Sequence, residues 1–206
     1  DGLYVFVYHI WGFRRELSLS NLRNSLPDKS AVELELIARQ AYRNACNMIA
    51  EILKGAVIGE QELRRRVRIL NVDALARFTQ AGQSVIMLAS HHCNWEWLLL
   101  AGCLEPGIHV DAVYKPLRVA AIDHFILEMR SRFGGSPIPV GDFRSAVLRR
   151  RGAARVLALV ADQTPPWTDE KHWTRFLNQD TAFFVGAYRI ARIMRAPVFF
   201  VGIRRL

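Results

Sequence analysis

Residues 84–97 read Ser84-Val85-Ile86-Met87-Leu88-Ala89-Ser90-His91-His92-Cys93-Asn94-Trp95-Glu96-Trp97. The apolar run at 85–89 is short, partly β-branched and preceded by Gly82, which is typical of a buried strand. The apolar residues from 95 to 104 predict a helix. A histidine at the carboxyl end of a strand, with a carboxylate just beyond it, lies where open α/β sheets usually place their chemistry.

Strands and helices alternate along the chain from this stretch onward. Further strands are predicted at 109–114, 138–140, 155–161 and 198–203, and further helices at 122–132, 143–151 and 184–195. A capping box at Ser30 and Glu33 opens a long helix that runs to residue 54. The pattern predicts an α/β fold with a mostly parallel central sheet flanked by helices, after an N-terminal helical region. The one long irregular segment, 164–178, is predicted to be a lid or binding loop.

The spacing of His91 and Glu96 limits how the two side chains can meet. Five positions along one helix turn a residue by about 140° around the axis, so both cannot share a helical face. The pair therefore requires His91 in the strand-to-helix turn and Glu96 reaching back from the first helical turn. Glu96 would then accept a hydrogen bond from one imidazole nitrogen and leave the other as a general base. The alternative is a histidine satisfied in a loop and a glutamate favoured by the helix dipole.

Asp162 ends the strongly apolar strand predicted at 155–161, where a carboxylate is costly unless it is paired. One interpretation makes Asp162 a second acidic group near His91, with Gln163 hydrogen-bonding a substrate. The other makes Asp162 an N-cap or loop carboxylate.

Four more polar residues are candidates for substrate binding. Lys115, Arg130 and Arg132 could hold a phosphate group, or could be ordinary surface charge. Asn94 could position the base or donate to an oxyanion, or could simply cap the helix.

Composition points to an acidic partner. The 206 residues carry a net charge of +9, with arginines clustered at 64–66 and 68, at 149–151 and at 204–205. Anionic lipid headgroups, an acidic carrier protein or a phosphorylated substrate fit this charge. The absence of any nucleic-acid-binding signature argues against nucleic acid as the partner.

Three cysteines without a paired spacing suggest a reducing compartment. No GxSxG or HExxH motif supports a nucleophilic hydrolase or a zinc enzyme.

The amino-terminal run at 3–11 is apolar and aromatic but shorter than the roughly 20 residues that span a bilayer. Arg14 and Arg15 follow it, as a cytoplasmic flank would. These residues fit either the end of a longer membrane anchor or an aromatic core helix. We divide the chain into an N-terminal helical region, 1–60, and an α/β domain, 61–206.

The chain resembles the bacterial lipid A late acyltransferases of the lauroyl/myristoyl type, within the lysophospholipid acyltransferase-like superfamily. His91-x-x-x-x-Glu96 looks like the signature of that family, and further similar blocks follow in the same order. They are the segment from Asn21 to Pro27, Val113-Tyr114-Lys115-Pro116-Leu117, Arg130 to Gly134, Ala161-Asp162-Gln163, Phe176 to Gly186, and Ala196-Pro197-Val198. Two positions depart from the family pattern: Cys93 replaces a commoner glycine, and Lys115 replaces the usual arginine.

The resemblance implies an O-acyltransferase. It would move a fatty acyl chain from an acyl carrier protein or coenzyme A thioester to a hydroxyl of a lipid A precursor, at the cytoplasmic face of the inner membrane of a Gram-negative bacterium. It implies His91 and Glu96 as catalytic residues, with Asp162 as a further acid that contacts the histidine in some relatives. It implies no metal or bound cofactor. It also implies that the run at 3–11 is the end of a membrane anchor, and that 61–206 is an acyltransferase α/β domain, incomplete at its C-terminus. The alternatives are a different acceptor, such as an amino-acid lipid or another glycolipid, and a non-catalytic lipid- or carrier-binding module.

Overall fold

The computed structural model describes residues 2–150 and 152–206, so Arg151, the last residue of one predicted arginine cluster, lies outside the described residues. A π-helical segment, Val5–Trp11, follows the first short helix, and a 3₁₀ turn, Val140–Asp142, precedes helix α8. The α-helices are α1 Gly2–Tyr4, α2 Arg15–Ser25, α3 Ala31–Gly55, α4 Glu60–Arg66, α5 Val72–Gln80, α6 Trp95–Cys103, α7 Ala120–Ser131, α8 Phe143–Arg149 and α9 Gly186–Met194.

A five-stranded parallel sheet forms the centre of the α/β fold, in the order β3-β2-β4-β1-β7. Its strands are β1 Val85–Ala89, β2 Val110–Tyr114, β3 Ser136–Pro139, β4 Val156–Val160 and β7 Val198–Phe200. The predicted fold class is confirmed, because the sheet is parallel, flanked by helices and preceded by a helical region. Strands β1 and β4 lie in the interior of the sheet, so their carboxyl ends are adjacent.

The chain forms two compact units. One contains residues up to Glu51 together with Thr164–Phe184, and the other contains Ile52–Gln163 and Val185–Leu206. The second unit holds the parallel sheet and two core clusters. The predicted division at residue 60 stays a prediction.

The capping box at the start of α3 has the predicted geometry. The Glu33 carboxylate accepts hydrogen bonds from the Ser30 backbone N–H and hydroxyl, both at 2.9 Å, and Ser30 Oγ accepts from the Glu33 N–H at 3.3 Å. A hydrogen bond from Lys29 and those from Ser30 lower the pKa of Glu33 to about 2. The carboxylate is therefore ionised at neutral pH, the form that the helix N-terminus favours.

Residues 164–178 were expected to be irregular, and that expectation was partly wrong. An antiparallel hairpin begins inside the segment: β5, Lys171–Phe176, lies within it, and β6, Gln179–Phe184, follows it. Its two turn residues, Leu177 and Asn178, both have positive φ, at 48° and 60°. Two such residues form the turn whose twist matches a hairpin, and asparagine favours it but leucine does not. Because leucine is uncommon at such a turn position, the sequence did not predict the hairpin.

The amino-terminal aromatic run is buried on one side only. Tyr4 and Tyr8 pack with Ala38 and Cys46 of α3, whereas Ile10 and Trp11 are exposed. Across residues 2–150 and 152–206, no helix has both the length and the apolar composition needed to cross a bilayer.

Several of the clustered arginines form ion pairs with carboxylates of the protein. Asp111 of β2 is buried and forms ion pairs with Arg150 and with Arg155, the latter at 2.6 Å. Arg64 and Arg66 pair with glutamates on their own helix, both at 2.9 Å. An acidic partner would therefore meet a less basic surface than the residue count suggests.

Gly135 allows the chain to leave α7 and enter β3 at close range. A Cβ atom at this position would lie 2.4 Å from the backbone oxygen of Arg130 and 3.2 Å from Cys103 Sγ. We expect Gly135→Ala to lower the free energy of unfolding by about 1–3 kcal/mol, because the backbone must move to admit the methyl group. Urea unfolding of the purified variant measures this. Gly141→Ala is the matched control, since a Cβ there has no heavy atom within 4 Å. Equal midpoints for the two variants would contradict the prediction.

Candidate active site

The turn between β1 and α6 is fixed by two residues. Cys93 has a φ of 53°, in the left-handed region that favours glycine. Asn94 is the N-cap of α6, and its Oδ1 accepts a hydrogen bond from the Trp97 N–H at 2.9 Å. The left-handed residue turns the chain sharply and the cap begins the helix at once. His91 is therefore held in the short turn that the spacing argument required.

Asp162 contacts His91 through both of its carboxylate oxygens. Strands β1 and β4 pair with Ala89 opposite Val160, and the two polar residues each lie two positions beyond. Asp162 Oδ2 accepts from the His91 backbone N–H at 2.8 Å, and Oδ1 lies 2.6 Å from His91 Nδ1. The carboxylate thus fixes the backbone and the ring of one residue. An Asp162 carboxylate that accepts from Nδ1–H leaves Nε2 unprotonated, which is the tautomer of a general base.

Gln163 adds a second contact to the imidazole. Its Nε2 lies 3.4 Å from His91 Nε2, a long hydrogen bond in which the amide N–H donates to the unprotonated ring nitrogen. A contact of this length is readily replaced by a substrate hydroxyl.

Glu96 does not make the contact with His91 that we expected. Its carboxylate accepts from Arg130 Nε at 2.8 Å and from Arg130 Nη2 at 2.5 Å, and from Trp95 Nε1 at 3.1 Å. The Glu96 side chain is only 4% exposed, so its charge must be balanced close by. The fork of the guanidinium matches both oxygens, which a single imidazole nitrogen could not do. The orienting carboxylate of His91 is therefore Asp162, and Glu96 positions Arg130.

Trp95 connects the two pairs, and the sequence analysis did not single it out. Its ring packs edge-on against the His91 imidazole, with centroids 4.6 Å apart, while its indole N–H donates to Glu96. The sequence feature that could have identified Trp95 is its location between His91 and Glu96 in the motif.

The other predicted substrate-binding residues form no described hydrogen bond with His91, Asp162 or Glu96. Arg132 Nη1 donates to the Gly55 carbonyl oxygen at the end of α3, at 2.6 Å. Lys115 is exposed just beyond the end of β2. For Asn94 the helix cap, given above as the alternative, is present. The substrate-binding roles of Asn94, Lys115 and Arg132 stay predictions.

An apolar cavity opens beside these residues, between α6 and one face of the sheet. The cavity is small, with a volume of about 50 Å³. Glu96, Arg130 and Trp95 lie in its wall, and Met87, Ala112 and Ala158 are among the apolar residues that line it. Glu96 and Arg130 therefore place charged groups in the wall of an otherwise apolar cavity.

Other chemistries find little support in the described residues. No three His, Cys, Asp or Glu side chains in residues 2–150 and 152–206 are grouped so that they could bind a metal ion. Burial raises the pKa of the Cys103 thiol to about 11, so this cysteine is protonated at neutral pH. Cys93 Sγ lies 3.8 Å from the carbonyl oxygen of Ile203.

An oriented imidazole base beside an apolar cavity, at the carboxyl edge of a parallel sheet, defines an enzyme site for a lipid-like substrate. The family described as bacterial lipid A biosynthesis acyltransferase matches residues 4–206, nearly the whole chain. The chain belongs to this family, and it is an acyltransferase. The resemblance stated above is thereby confirmed. A comparison with curated proteins gave no match.

Proposed function

We propose that the enzyme transfers a fatty acyl group from a thioester, on acyl carrier protein or coenzyme A, directly to a hydroxyl of a lipid A precursor. The observation that carries this proposal is the contact of Asp162 with both the backbone and Nδ1 of His91, which leaves Nε2 as the ring nitrogen that can take a proton from a substrate. No metal or bound cofactor is part of the proposed chemistry.

The base would act on the acceptor. His91 Nε2 takes the proton of the acceptor hydroxyl as its oxygen attacks the thioester carbonyl carbon, and Asp162 stabilises the imidazolium that forms. The tetrahedral intermediate then collapses, the carbon–sulfur bond breaks, and the imidazolium returns the proton to the departing thiolate. The products are the new ester and the free thiol of the carrier.

Arg130 is suited to the charge that develops on the carbonyl oxygen. Its hydrogen bonds to Glu96 use Nε and Nη2, and within the described residues Nη1 has no hydrogen-bonding partner. A partly buried cation held in place by a carboxylate needs little reorganisation when an oxyanion forms, and such a donor stabilises the transition state by about 2.7–4 kcal/mol.

The apolar residues that line the cavity would contact the hydrocarbon chain of the donor. Apolar burial contributes about 0.8 kcal/mol for each methylene group, so the chain would supply most of the donor's affinity. We place the reaction at the cytoplasmic face of the inner membrane. The exposed side chains of the run at residues 3–11, such as Ile10 and Trp11, and the basic residues that follow it support attachment of the protein to a membrane surface.

The proposal is tested by incubating the purified protein with lauroyl-acyl carrier protein or lauroyl-coenzyme A and a lipid A precursor in detergent micelles. Mass spectrometry should show the precursor heavier by one acyl group, together with released thiol. Donor binding without transfer would instead indicate a non-catalytic binding module. Transfer to a different glycolipid or to an amino-acid lipid, and not to the precursor, would identify another acceptor.

The contact between Asp162 and His91 makes a specific prediction. We expect Asp162→Asn to lower kcat about a hundredfold, because the amide oxygen can still accept from Nδ1–H but cannot balance the imidazolium charge. Asp28→Asn is the matched control, since Asp28 is an exposed carboxylate in the turn between α2 and α3. Steady-state acyl transfer measures both variants. An Asp162→Asn enzyme as fast as the control would contradict the role of the carboxylate.

A further inference from the structure

Trp95 lies between the base and the ion pair of Glu96 with Arg130. Its indole N–H donates a hydrogen bond to Glu96 Oε1 at 3.1 Å, and its ring packs edge-on against the His91 imidazole, with centroids 4.6 Å apart. The structure describes no hydrogen bond between Glu96 and His91, whose ring is bound by Asp162. The indole is therefore the group that touches both the ion pair and the base.

The ion pair holds its end of this contact firmly. The Glu96 side chain is almost fully buried and accepts from two nitrogens of the Arg130 guanidinium. The guanidinium carbon also lies 5.8 Å from the centroid of the Tyr114 ring, within the range of a cation–π contact. A carboxylate bound by a fork of donors has a fixed orientation. It therefore offers the indole N–H an acceptor that does not move.

A fixed N–H determines the position of the whole indole ring. A tryptophan side chain has only two rotatable bonds, so a hydrogen bond at Nε1 leaves the ring little freedom. Trp95 is also the first residue of α6, directly after the N-cap Asn94, which fixes its backbone. With both ends held, the indole presents a rigid surface to the imidazole that packs against it.

The imidazole of His91 needs this second support. Its hydrogen bond to Asp162 fixes the position of Nδ1, but the plane of the ring can still turn about that atom. The contact of Nε2 with Gln163 is long, at 3.4 Å, and a substrate hydroxyl would replace it during the reaction. An aromatic ring packed edge-on restricts the rotation, because aromatic pairs prefer this arrangement. Asp162 and Trp95 together therefore determine the direction of Nε2.

We infer that Trp95 is a positioning residue for His91, and that the ion pair acts on the base through the indole N–H. The inference rests on the proposed function, because it takes His91 as the group that accepts the proton of the acceptor hydroxyl. Glu96 then influences the base without contacting it. The alignment matters because a displacement of about 1 Å at a reacting centre costs on the order of a hundredfold in rate.

Two substitutions separate the ring from its N–H. Trp95→Phe keeps an aromatic ring beside the imidazole but cannot donate to Glu96, and Trp95→Leu removes both contacts. We expect kcat at saturating donor to fall about tenfold for Trp95→Phe and about a hundredfold for Trp95→Leu, because the ring of the base loses its alignment in two steps. Steady-state acyl transfer, with thermal melting of each variant, measures this.

A second measurement reports the position of the base directly. NMR of protein with 15N-labelled histidine, at low temperature, gives the rate at which the Nδ1 proton of His91 exchanges with water, and the His91→Ala protein identifies the signal. A ring that turns more freely breaks its hydrogen bond to Asp162 more often. We expect severalfold faster exchange in Trp95→Phe and faster exchange still in Trp95→Leu. Loss of kcat without faster exchange would overturn the inference.

The path from the ion pair is tested with the same proton. Glu96→Gln combined with Arg130→Met removes both charges and releases residue 96 from its fixed orientation. We expect exchange at His91 to become faster in this double variant, although neither altered residue touches the imidazole. Adding Trp95→Phe should cause no further change, because residues that act in one path have non-additive effects. Additive changes would contradict the path through the indole.

Trp97→Phe is the matched control. Trp97 is the second tryptophan of α6, and it is buried in a core cluster with Ile58 and Leu63. Trp97→Phe should lower the melting temperature and leave both kcat and the exchange rate unchanged. A folded Trp95→Leu enzyme that behaves like this control would overturn the inference. Should Trp95→Leu fail to fold, Trp95→Phe decides by the same criterion.

Proton exchange at His91 does not depend on acyl transfer, so it separates this inference from the proposed function. If the unmodified protein transfers no acyl group and exchange is still faster in the Trp95 variants, the positioning role stands and the proposed function fails. If acyl transfer occurs and both Trp95 variants match the unmodified enzyme in kcat and in exchange, the positioning role fails and the proposed function stands.

Discussion

The His91→Ala enzyme is expected to lose acyl transfer by at least about a thousandfold in kcat and to stay folded. A positioned general base contributes roughly 10²–10⁴ in rate, and His91 also brings the charge stabilisation of its Asp162 partner. Its side chain is 31% exposed and packs only against Trp95 among the aromatic rings, so its removal opens no closed cavity in the core. Thiol release from a lauroyl donor, followed beside thermal melting, measures both parts of the prediction.

The neighbouring histidine is the matched control. His92 follows His91 directly and is exposed, and no described hydrogen bond involves it. His92→Ala should transfer acyl groups at nearly the unmodified rate. If both variants were equally active, His91 could not be the base, and if both were equally inactive, the loss would reflect damage to the turn.

The Arg130→Met enzyme is expected to be less stable by about 3–5 kcal/mol, because the Glu96 carboxylate would stay buried without its partner. The side chains of Arg130 and Glu96 are 18% and 4% exposed, so solvent cannot replace the lost contact. For a chain of this length each kcal/mol corresponds to about 2–4 °C in melting temperature. Differential scanning calorimetry should therefore show a decrease of about 10 °C.

A second variant separates lost charge balance from lost packing. Glu96→Gln combined with Arg130→Met removes the orphaned charge, and we expect it to recover most of the stability but none of the activity. Arg39→Met is the control, since Arg39 pairs with Glu35 on the surface of α3, where such pairs contribute about 0.3–0.5 kcal/mol. A double variant no more stable than Arg130→Met would contradict the assignment of a buried ion pair.

The sequence predicted the sheet well, because its signal is local. The strand at 85–89 was predicted with its observed bounds, and the others differ by a few residues at their ends. The hairpin at 171–184 was missed because Leu177 occupies a turn position that normally shows asparagine or glycine. The strand order also required coordinates, since periodicity shows which residues are buried but not which strands are neighbours.

In the site, too, features set by neighbouring residues were predicted, and those set by residues far along the chain were not. The location of His91 in the turn followed from the spacing of one motif. The partner of each side chain depended on residues far along the chain, because Asp162 approaches from β4 and Arg130 from α7. From sequence alone, Glu96 was the nearest carboxylate to His91, and nothing local indicated that an arginine 34 positions away would take it.

The order of the strands in the sheet predicts how the enzyme unfolds and loses activity on heating. Because β1, β2 and β4 are hydrogen-bonded on both sides, their amides should exchange with solvent deuterium only when the entire second unit unfolds, whereas β3 and β7, at the margins, should exchange earlier. The imidazole and its aspartate follow two of these slowly exchanging strands, β1 and β4. Heat inactivation and global melting should then coincide, and partial fraying should leave the catalytic pair assembled.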